Sequence, residues 1–493
     1  MSAPSPGPTL IGLDAGTTGV TAILFDAHLG VLARAYREFP QHFPAPERVE
    51  HRAEELLGAV DAVLAEVTAL PAAKGLAAIG LTNQRETVFA VDRDTGRALA
   101  PGIVWQDRRT AARCRELAPQ AELVRRRTGL PLDPYFSGTK IEWLREHLPA
   151  AREPGVLFAT VDALVLHHLT GVWATDPTNA SRTLLFDIDG LAWDDELCRL
   201  FGLEPAALPE VRPSVGPFGS WSSEAFGREV PVLGVAGDQQ AALFGQGAWE
   251  SGGLKCTFGT GCFLVHHCGS ERPADSAGGL LTTRVLGPGG EPAYGIEGSV
   301  FMAGAVVQWL RDELGILASA AESEDLARSV PDTGGVRLVP AFTGLGAPHW
   351  DPDARAAILG LTRGSGRPEL VRAALEAIAL QNAELVDLLR SEGEAPIRAM
   401  LVDGGAAAND LLMQLQADLA GLTVSRPPAV EATARGAATL AGLGLGWWPD
   451  GSKPPALVEP GAAFEPDLAE PMRRARLDRW RRDVELVRAA SRP

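Results

Sequence analysis

The 493 residues carry Lys+Arg 45 against Asp+Glu 62, a net charge of −17, with 46% hydrophobic and 22% charged residues. That is a globular composition, long enough for about two to three domains. Its acidity disfavours nucleic-acid and membrane-surface roles, because such a surface repels phosphate backbones and anionic lipid.

Five cysteines (Cys114, Cys198, Cys256, Cys262, Cys268) lack CxxC spacing and read as free thiols. The start has neither the basic region nor the apolar region of a signal peptide, and no apolar run approaches the ~18 residues of a membrane helix. The expectation is a soluble, cytoplasmic protein with no membrane insertion.

In chain order, TLIGLD (9–14) is an apolar run ending on an aspartate. The turn AGTTG leads into VTAILFD, and Gly30 precedes VLARAYREF, which predicts a β-meander. Leu56, Leu57, Val60, Val63, Leu64 and Val67 recur at helical period, predicting a helix over 54–70. LAAIGL (76–81) reads as a buried strand ending in Thr82-Asn83-Gln84-Arg85-Glu86. By themselves Arg85 and Glu86 read as a surface ion pair and Trp105 as core, and Arg125-Arg126-Arg127 as the snorkelling arginines of a docked surface helix. VPVLGVAGDQQ (230–240) is a strand running into a polar end, and ESGG (250–253) is the most linker-like stretch. LKCTFGTGCFLV (254–265) again sets a Gly-Thr turn between β-rich runs. Helices are predicted over 301–314 and 369–389, with a strand over 397–405. A last helix, 472–488, docks through Leu477, Trp480, Val484 and Val487 while its arginines snorkel. This is an α/β pattern in two domains, 1–250 and 251–493, with a cleft between them.

No Gly-Lys dipeptide, GxGxxG, HExxH or GxSxG occurs, which excludes the P-loop, the dinucleotide fingerprint, the zincin and the α/β-hydrolase. The Gly-Thr turns DAGTTG (14–19) and FGTG (258–261) are each able to form an anion-binding nest of N–H groups. One alone is a weak signal. Two on opposite halves suggest a clamp on an oligophosphate, with Asp14 placed to hold Mg²⁺. Asp403-Gly404-Gly405 with Asn409 reads as a strand-to-helix turn with an N-cap, or as a close approach to a nucleoside. Asp238, in GDQQ, reads evenly as a cap or as the acceptor of a proton from a bound hydroxyl. An Arg–Glu pair beside an aromatic suits a polyol.

The stretches IGLDAGTTG, IGLTNQRET, IVWQDRRT, TGLPLDPYFSGTK, TNASRTLLFDI, GVAGDQQAALFGQ, TFGTGCFLV and LVDGGAAANDLLMQLQADL occur in register over roughly residues 10 to 445. On them the chain resembles the glycerol kinases of the FGGY carbohydrate-kinase family. The resemblance implies two actin-like (ribonuclease H-like) ATPase domains flanking a central cleft. It implies ATP with Mg²⁺, and phosphorylation of glycerol to sn-glycerol 3-phosphate, which feeds glycerol catabolism and glycerolipid synthesis.

Glycerol-contacting positions of the family fall on Arg85, Glu86, Trp105, Tyr135, Asp238, Gln239 and Phe263, with Asp238 the catalytic base. Nucleotide positions fall on Thr17, Thr18, Gly19, Thr260, Gly304, Gln308, Gly405 and Asn409, and metal positions on Asp14 and Asp238. The implied partners are glycerol and ATP/ADP, with no nucleic acid, and homo-oligomerisation is left open. The competing readings are an FGGY kinase for another polyol or ketose and an actin-like nucleotide-operated scaffold without an acceptor.

Four departures stand out, the last three of them regulatory. Thr21 stands where the family's first loop carries an arginine. The bisphosphate-binding loop is shortened to 223–228, with no phosphorylatable histidine near Trp221. The sugar-transport regulatory patch is not recognisable in 465–475. None of these three regulatory modes is therefore expected.

Overall fold

A computed structural model describes residues 7–274, 279–392, 396–427, 431–448 and 461–491. The chain forms two compact units: Met1–Trp249 with Thr282–Tyr294 and Glu431–Leu457, and Glu250–Leu281 with Gly295–Val430 and Val458–Pro493.

The first unit begins with the meander β1 (Thr9–Ala15), β2 (Gly19–Asp26) and β3 (Val31–Glu38), whose β1 and β2 are almost wholly buried. Helix α1 (Ala53–Thr68) buries Leu56, Val60, Val63, Leu64 and Val67, as its period dictates. Next come β4 (Leu76–Asn83), α2 (Ser137–His147), β5 (Ser220–Ser222) and β6 (Glu229–Gly237), which runs directly into α3 (Asp238–Gly245). The sheet order is β5-β6-β4-β1-β2-β3, with β1, β4 and β6 mutually parallel. Register aligns Ala15 with Asn83 and Asn83 with Gly237. The turn after β1, the polar run after β4 and Asp238 after β6 therefore leave the sheet from one end, at the carboxyl ends of its parallel strands.

The second unit repeats this plan. It comprises β7 (Leu254–Phe258), β8 (Cys262–Gly269), β9 (Pro292–Val300, from Gly295 onward), α4 (Gly304–Asp312), α5 (Arg367–Glu392), β10 (Ala399–Asp403), α6 (Asp410–Ala420) and β11 (Thr423–Arg426). The chain then returns to the first unit for α7 (Ala432–Gly444) and ends in β12 (Ala462–Phe464) and α8 (Glu470–Ser491). Neighbours run β9-β8-β7-β10-β11-β12, with β7 antiparallel to β8 and parallel to β10. A meander whose first strand is continued by parallel strands, present twice, is the ribonuclease H-like, actin-like α/β architecture.

The compact units are not the linear halves 1–250 and 251–493. Helix α7 lies so close to β1 and β4 that a Cβ on Gly12 or Gly80 would strike the Ala434 or Ala437 carbonyl, so glycine is required at both crossings. Helix α4 begins at Gly304 rather than at 301, because the backbone at Ala303 is not helical (φ −129, ψ −94), and its N–H donates to the Thr260 carbonyl instead. Helix α8 docks as expected, with Leu477, Trp480, Val484 and Val487 buried and Arg473 paired to Glu470 and Asp387. Arg127, in the basic run, pairs with Asp187 and Asp194. All five cysteines are free thiols, four of them buried. No helix among the described residues is long and apolar enough to cross a membrane.

Candidate functional site

In the first unit the β1–β2 turn closes through Gly16 N–H to the Gly19 carbonyl at 3.0 Å. Neither glycine has a positive φ. Gly19 is required instead by close approach, since a Cβ there would lie 2.7 Å from the Tyr36 ring. Thr17 is half-buried and its Oγ1 accepts from Trp105 Nε1 at 3.0 Å, while Thr18 is exposed.

Asp14, just before the turn, has an enclosed Oδ1 with no hydrogen-bond partner among the described residues. Burial first, then the charges of Asp238 and Glu431, push its carboxyl up to about 8. Thr21 is its cross-strand partner and is buried. An arginine there would pull the Asp14 carboxyl down, and the neutral threonine does not.

The run after β4 is not a surface. Arg85 and Glu86 are 3% and 2% exposed, which corrects their reading as a surface ion pair. Glu86 has φ 62, a left-handed conformation uncommon for a residue with a side chain and typical of over-determined sites. Its Oε1 accepts from Arg182 Nε at 2.6 Å and lies 3.9 Å from Arg85 Nε, which in turn is 3.2 Å from Asp238 Oδ1. Arg85 also donates to Gln240 Oε1 at 3.2 Å. Alternating signs let four charged groups share a mostly buried row, because each cation faces a carboxylate. Asp238, with its side chain 29% exposed, is the open end of the row. As first residue of α3, after the N-cap Gly237, it also accepts from the N–H of the adjacent Gln239 at 2.7 Å.

Trp105 and Tyr135 meet edge to face at 5.6 Å, and Arg182 lies over the Tyr135 ring. Buried Lys140 holds the Tyr135 carbonyl at 2.7 Å, and Ser137 Oγ donates to the Glu86 carbonyl at 2.9 Å. Arg182 and Lys140 escaped the sequence reading. Neither falls in a periodic pattern, and Arg182 is 96 residues from its carboxylate.

In the second unit, Gly259 N–H closes on the Gly261 carbonyl at 2.9 Å, with Thr260 exposed at the tip. Gly304 N–H donates to the Gly259 carbonyl at 2.9 Å, and exposed Gln308 stands one helical turn farther along α4. Gly404 has φ 87, and a Cβ there would lie 2.5 Å from the Phe258 carbonyl, so glycine is needed on both counts. Gly405 is exposed. Asn409 Oδ1 caps α6 by accepting from Leu412 N–H at 2.9 Å, and its Nδ2 donates to Ser323. Phe263 is half-buried in β8.

Models of the FGGY family of carbohydrate kinases match the chain over residues 9–245 for the N-terminal domain and 254–445 for the C-terminal domain. The glycerol kinase of Aromatoleum aromaticum is 50% identical over 97% of this chain and 98% of its own. That of Thermus brockianus is 51% identical over 97% and 98%. Among solved structures, Plasmodium falciparum glycerol kinase with ADP aligns at TM-score 0.90 and 32% identity, covering 98% of each chain. Gluconate kinase from Lactobacillus acidophilus shares the fold at TM-score 0.86 and 22% identity.

Proposed function

The chain belongs to the FGGY family of carbohydrate kinases, and from that premise we propose that it transfers the terminal phosphoryl group of ATP to glycerol, giving sn-glycerol 3-phosphate. The glycerol kinases it resembles over nearly its whole length support that acceptor. The observation that carries the mechanism is the register of the parallel strands β1, β4 and β6, which brings Asp14 beside the first Gly-Thr turn, Arg85, and Asp238 at the end of the buried charge row to one end of the sheet. It sets a hydroxyl-orienting carboxylate next to an oligophosphate turn.

In this reading Arg85, Glu86 and Gln239 hydrogen-bond the glycerol hydroxyls, while Trp105, Tyr135 and Phe263 pack on its carbons. Asp238 orients one terminal hydroxyl and accepts its proton as the bond to phosphorus forms. Phosphoryl transfer passes through a loose transition state, so positioning and charge neutralisation outweigh base strength. Arg85, 3.2 Å from Asp238, fixes that carboxylate in place. Thr17, Thr18 and Gly19, with Thr260, Gly304, Gln308, Gly405 and Asn409, are the proposed nucleotide contacts.

The donor set fits a magnesium ion. Asp14 has an enclosed oxygen without a partner and a carboxyl raised first by burial and then by neighbouring carboxylates, which a cation held by Asp14 and Asp238 would relieve. When bound, the ion supplies charge neutralisation on the β- and γ-phosphate oxygens. ATP as donor suits a cytoplasmic setting.

The test is ADP release from MgATP with glycerol, other polyols, pentuloses or no acceptor. Glycerol-dependent release with formation of glycerol 3-phosphate is expected. Release driven by a different polyol or ketose would move the acceptor assignment, and acceptor-independent turnover would favour the scaffold.

A further inference from the structure

The first Gly-Thr turn is shaped by side chains with no part in the reaction as described. The Ala15, Gly16 and Thr17 carbonyls accept in succession from Gln84 N–H at 2.9 Å, Gln84 Nε2 at 3.0 Å and Gln41 Nε2 at 2.7 Å. Within one trans peptide the carbonyl and the following N–H point in opposite directions. Drawing the Gly16 and Thr17 carbonyls toward the protein therefore turns the Thr17 and Thr18 N–H groups away from it. Among the described residues neither N–H has an acceptor. Two adjacent N–H groups presented in this way make a concave anion site.

His51 closes the network. It is fully buried, with Nε2 2.6 Å from Gln41 Oε1 and Nδ1 3.3 Å from Gln84 Nε2. The hydrogens fix every role. Gln41 spends Nε2 on Thr17, so its Oε1 accepts and His51 Nε2 donates. Gln84 Oε1 accepts from Thr87 Oγ1 at 2.8 Å, so Gln84 Nε2 donates both to Gly16 and to His51 Nδ1. Only the neutral ring protonated on Nε2 satisfies both ring contacts. Burial, then the charge of His42, push the His51 pKa down to about 4, in keeping with that state. Phe39, edge-on at 5.0 Å, fixes the ring plane.

We propose that His51, Gln41 and Gln84 are positioning residues for phosphoryl transfer, holding the Gly16 and Thr17 peptides so that the Thr17 and Thr18 N–H groups meet the nucleotide phosphates. The proposal rests on reading the turn as the phosphate turn of an ATP-dependent kinase.

Full-length Gln41→Met, His51→Gln and His51→Leu are compared with the unaltered chain. The readouts are kcat, KM for MgATP, KM for glycerol, melting temperature, and MgATP binding by calorimetry. Gln41→Met keeps the side chain's length and loses the donor. It should raise KM and Kd for MgATP roughly tenfold, with glycerol KM and melting temperature nearly unchanged. His51→Gln keeps a donor toward Gln41 and loses the acceptor for Gln84, so its effect should fall between the unaltered chain and His51→Leu. Should the His51 variants not fold, half-buried Gln41→Met decides alone. Unchanged MgATP binding in Gln41→Met, or losses spread equally over glycerol KM and melting temperature, would overturn the proposal. An unaltered chain that binds MgATP without phosphorylating glycerol would overturn the acceptor assignment instead, and calorimetry would still decide on the turn.

Discussion

The two Gly-Thr turns share a sequence and a closing hydrogen bond, Gly16 to Gly19 and Gly259 to Gly261, yet they are held by different means. In the first, the carbonyls of Gly16 and Thr17 are pinned by the side chains of Gln84 and Gln41. In the second, the corresponding carbonyls of Gly259 and Thr260 are pinned by backbone, from Gly304 N–H and from Ala303 and Ala305 N–H. The preceding residues differ too. Asp14 carries a carboxyl, whereas Thr257 in the same position of β7 accepts from buried Lys255 Nζ at 2.7 Å. In the proposed reading the first turn takes a cation beside the anion, and the second the anion alone. A side-chain-held turn can be loosened by a polar substitution that leaves the backbone alone. A backbone-held turn yields only to added bulk.

The largest expected effect falls on the acidic side of this asymmetry. Asp238→Asn keeps the shape of the row's end and removes the proton acceptor, so kcat should fall by roughly 10²–10⁴-fold. Glycerol binding should change little, because Arg85, Glu86 and Gln239 remain. Near-normal turnover would remove Asp238 from the mechanism and with it the chemical difference between the turns.

Next comes Gly261→Ala. The added Cβ would drive into the Val300 carbonyl and lie 3.1 Å from that of Phe301, both backbone atoms that cannot swing aside. Overpacking of that kind costs ~1–3 kcal/mol, so KM for MgATP should rise roughly 10- to 100-fold. Gly259→Ala, whose Cβ meets only the Gly261 carbonyl at 3.7 Å, is the matched control and should be near neutral. Equal effects at the two glycines would mean that the second turn is not held by backbone packing.

Much of this framework is legible in the sequence, and what is not has a physical cause. The strands β1, β4 and β6 are apolar runs that end abruptly on polar residues, so the sheet end carrying Asp14, Arg85 and Asp238 can be read without coordinates. The return of α7 to the first unit cannot. Its small residues reveal close packing, but only Gly12 and Gly80, hundreds of residues earlier, show against what. The burial of Arg85 and Glu86 is likewise hidden, because it depends on Arg182 compensating Glu86 from a distant segment. The role of Gln41, Gln84 and His51 is invisible for a similar reason. Three neutral polar residues in separate segments carry no pattern until their hydrogen bonds are counted. Glycine's value at the turns is also legible only in part. The sequence suggests conformational freedom, whereas Gly19 and Gly261 are needed for close approach.

A smaller effect, with a pH signature, should attend Asp14→Asn. Losing a charged contact to the bound cation should lower kcat/KM for MgATP about tenfold. Without nucleotide or Mg²⁺ the stability effect runs the other way. The folded-state carboxyl is raised from 3.8 to about 8. Between those values the native state holds a proton that the unfolded chain has lost, so this group's contribution falls as pH rises. Melting curves from pH 5 to 8 should therefore show the Asp14→Asn variant gaining on the unaltered chain as pH increases. Parallel curves would mean that Asp14 is ionised across the range and that no cation is needed to relieve it.

The smallest expected effect tests whether the side-chain scaffold of the first turn reaches the acceptor pocket. Trp105 donates to Thr17 Oγ1 at 3.0 Å while its ring meets Tyr135. Trp105→Phe keeps an aromatic face for the glycerol carbons and removes only the indole N–H, one neutral hydrogen bond of ~0.5–1.5 kcal/mol. If that bond steadies Thr17 for the phosphates, KM for MgATP should rise a few-fold with KM for glycerol almost unmoved. Trp105→Leu, which loses the flat face as well, should raise both. A Trp105→Phe variant that shifts only the glycerol KM would confine the indole to the acceptor pocket. It would leave Gln41 and Gln84 as the side chains that distinguish the first turn from the second.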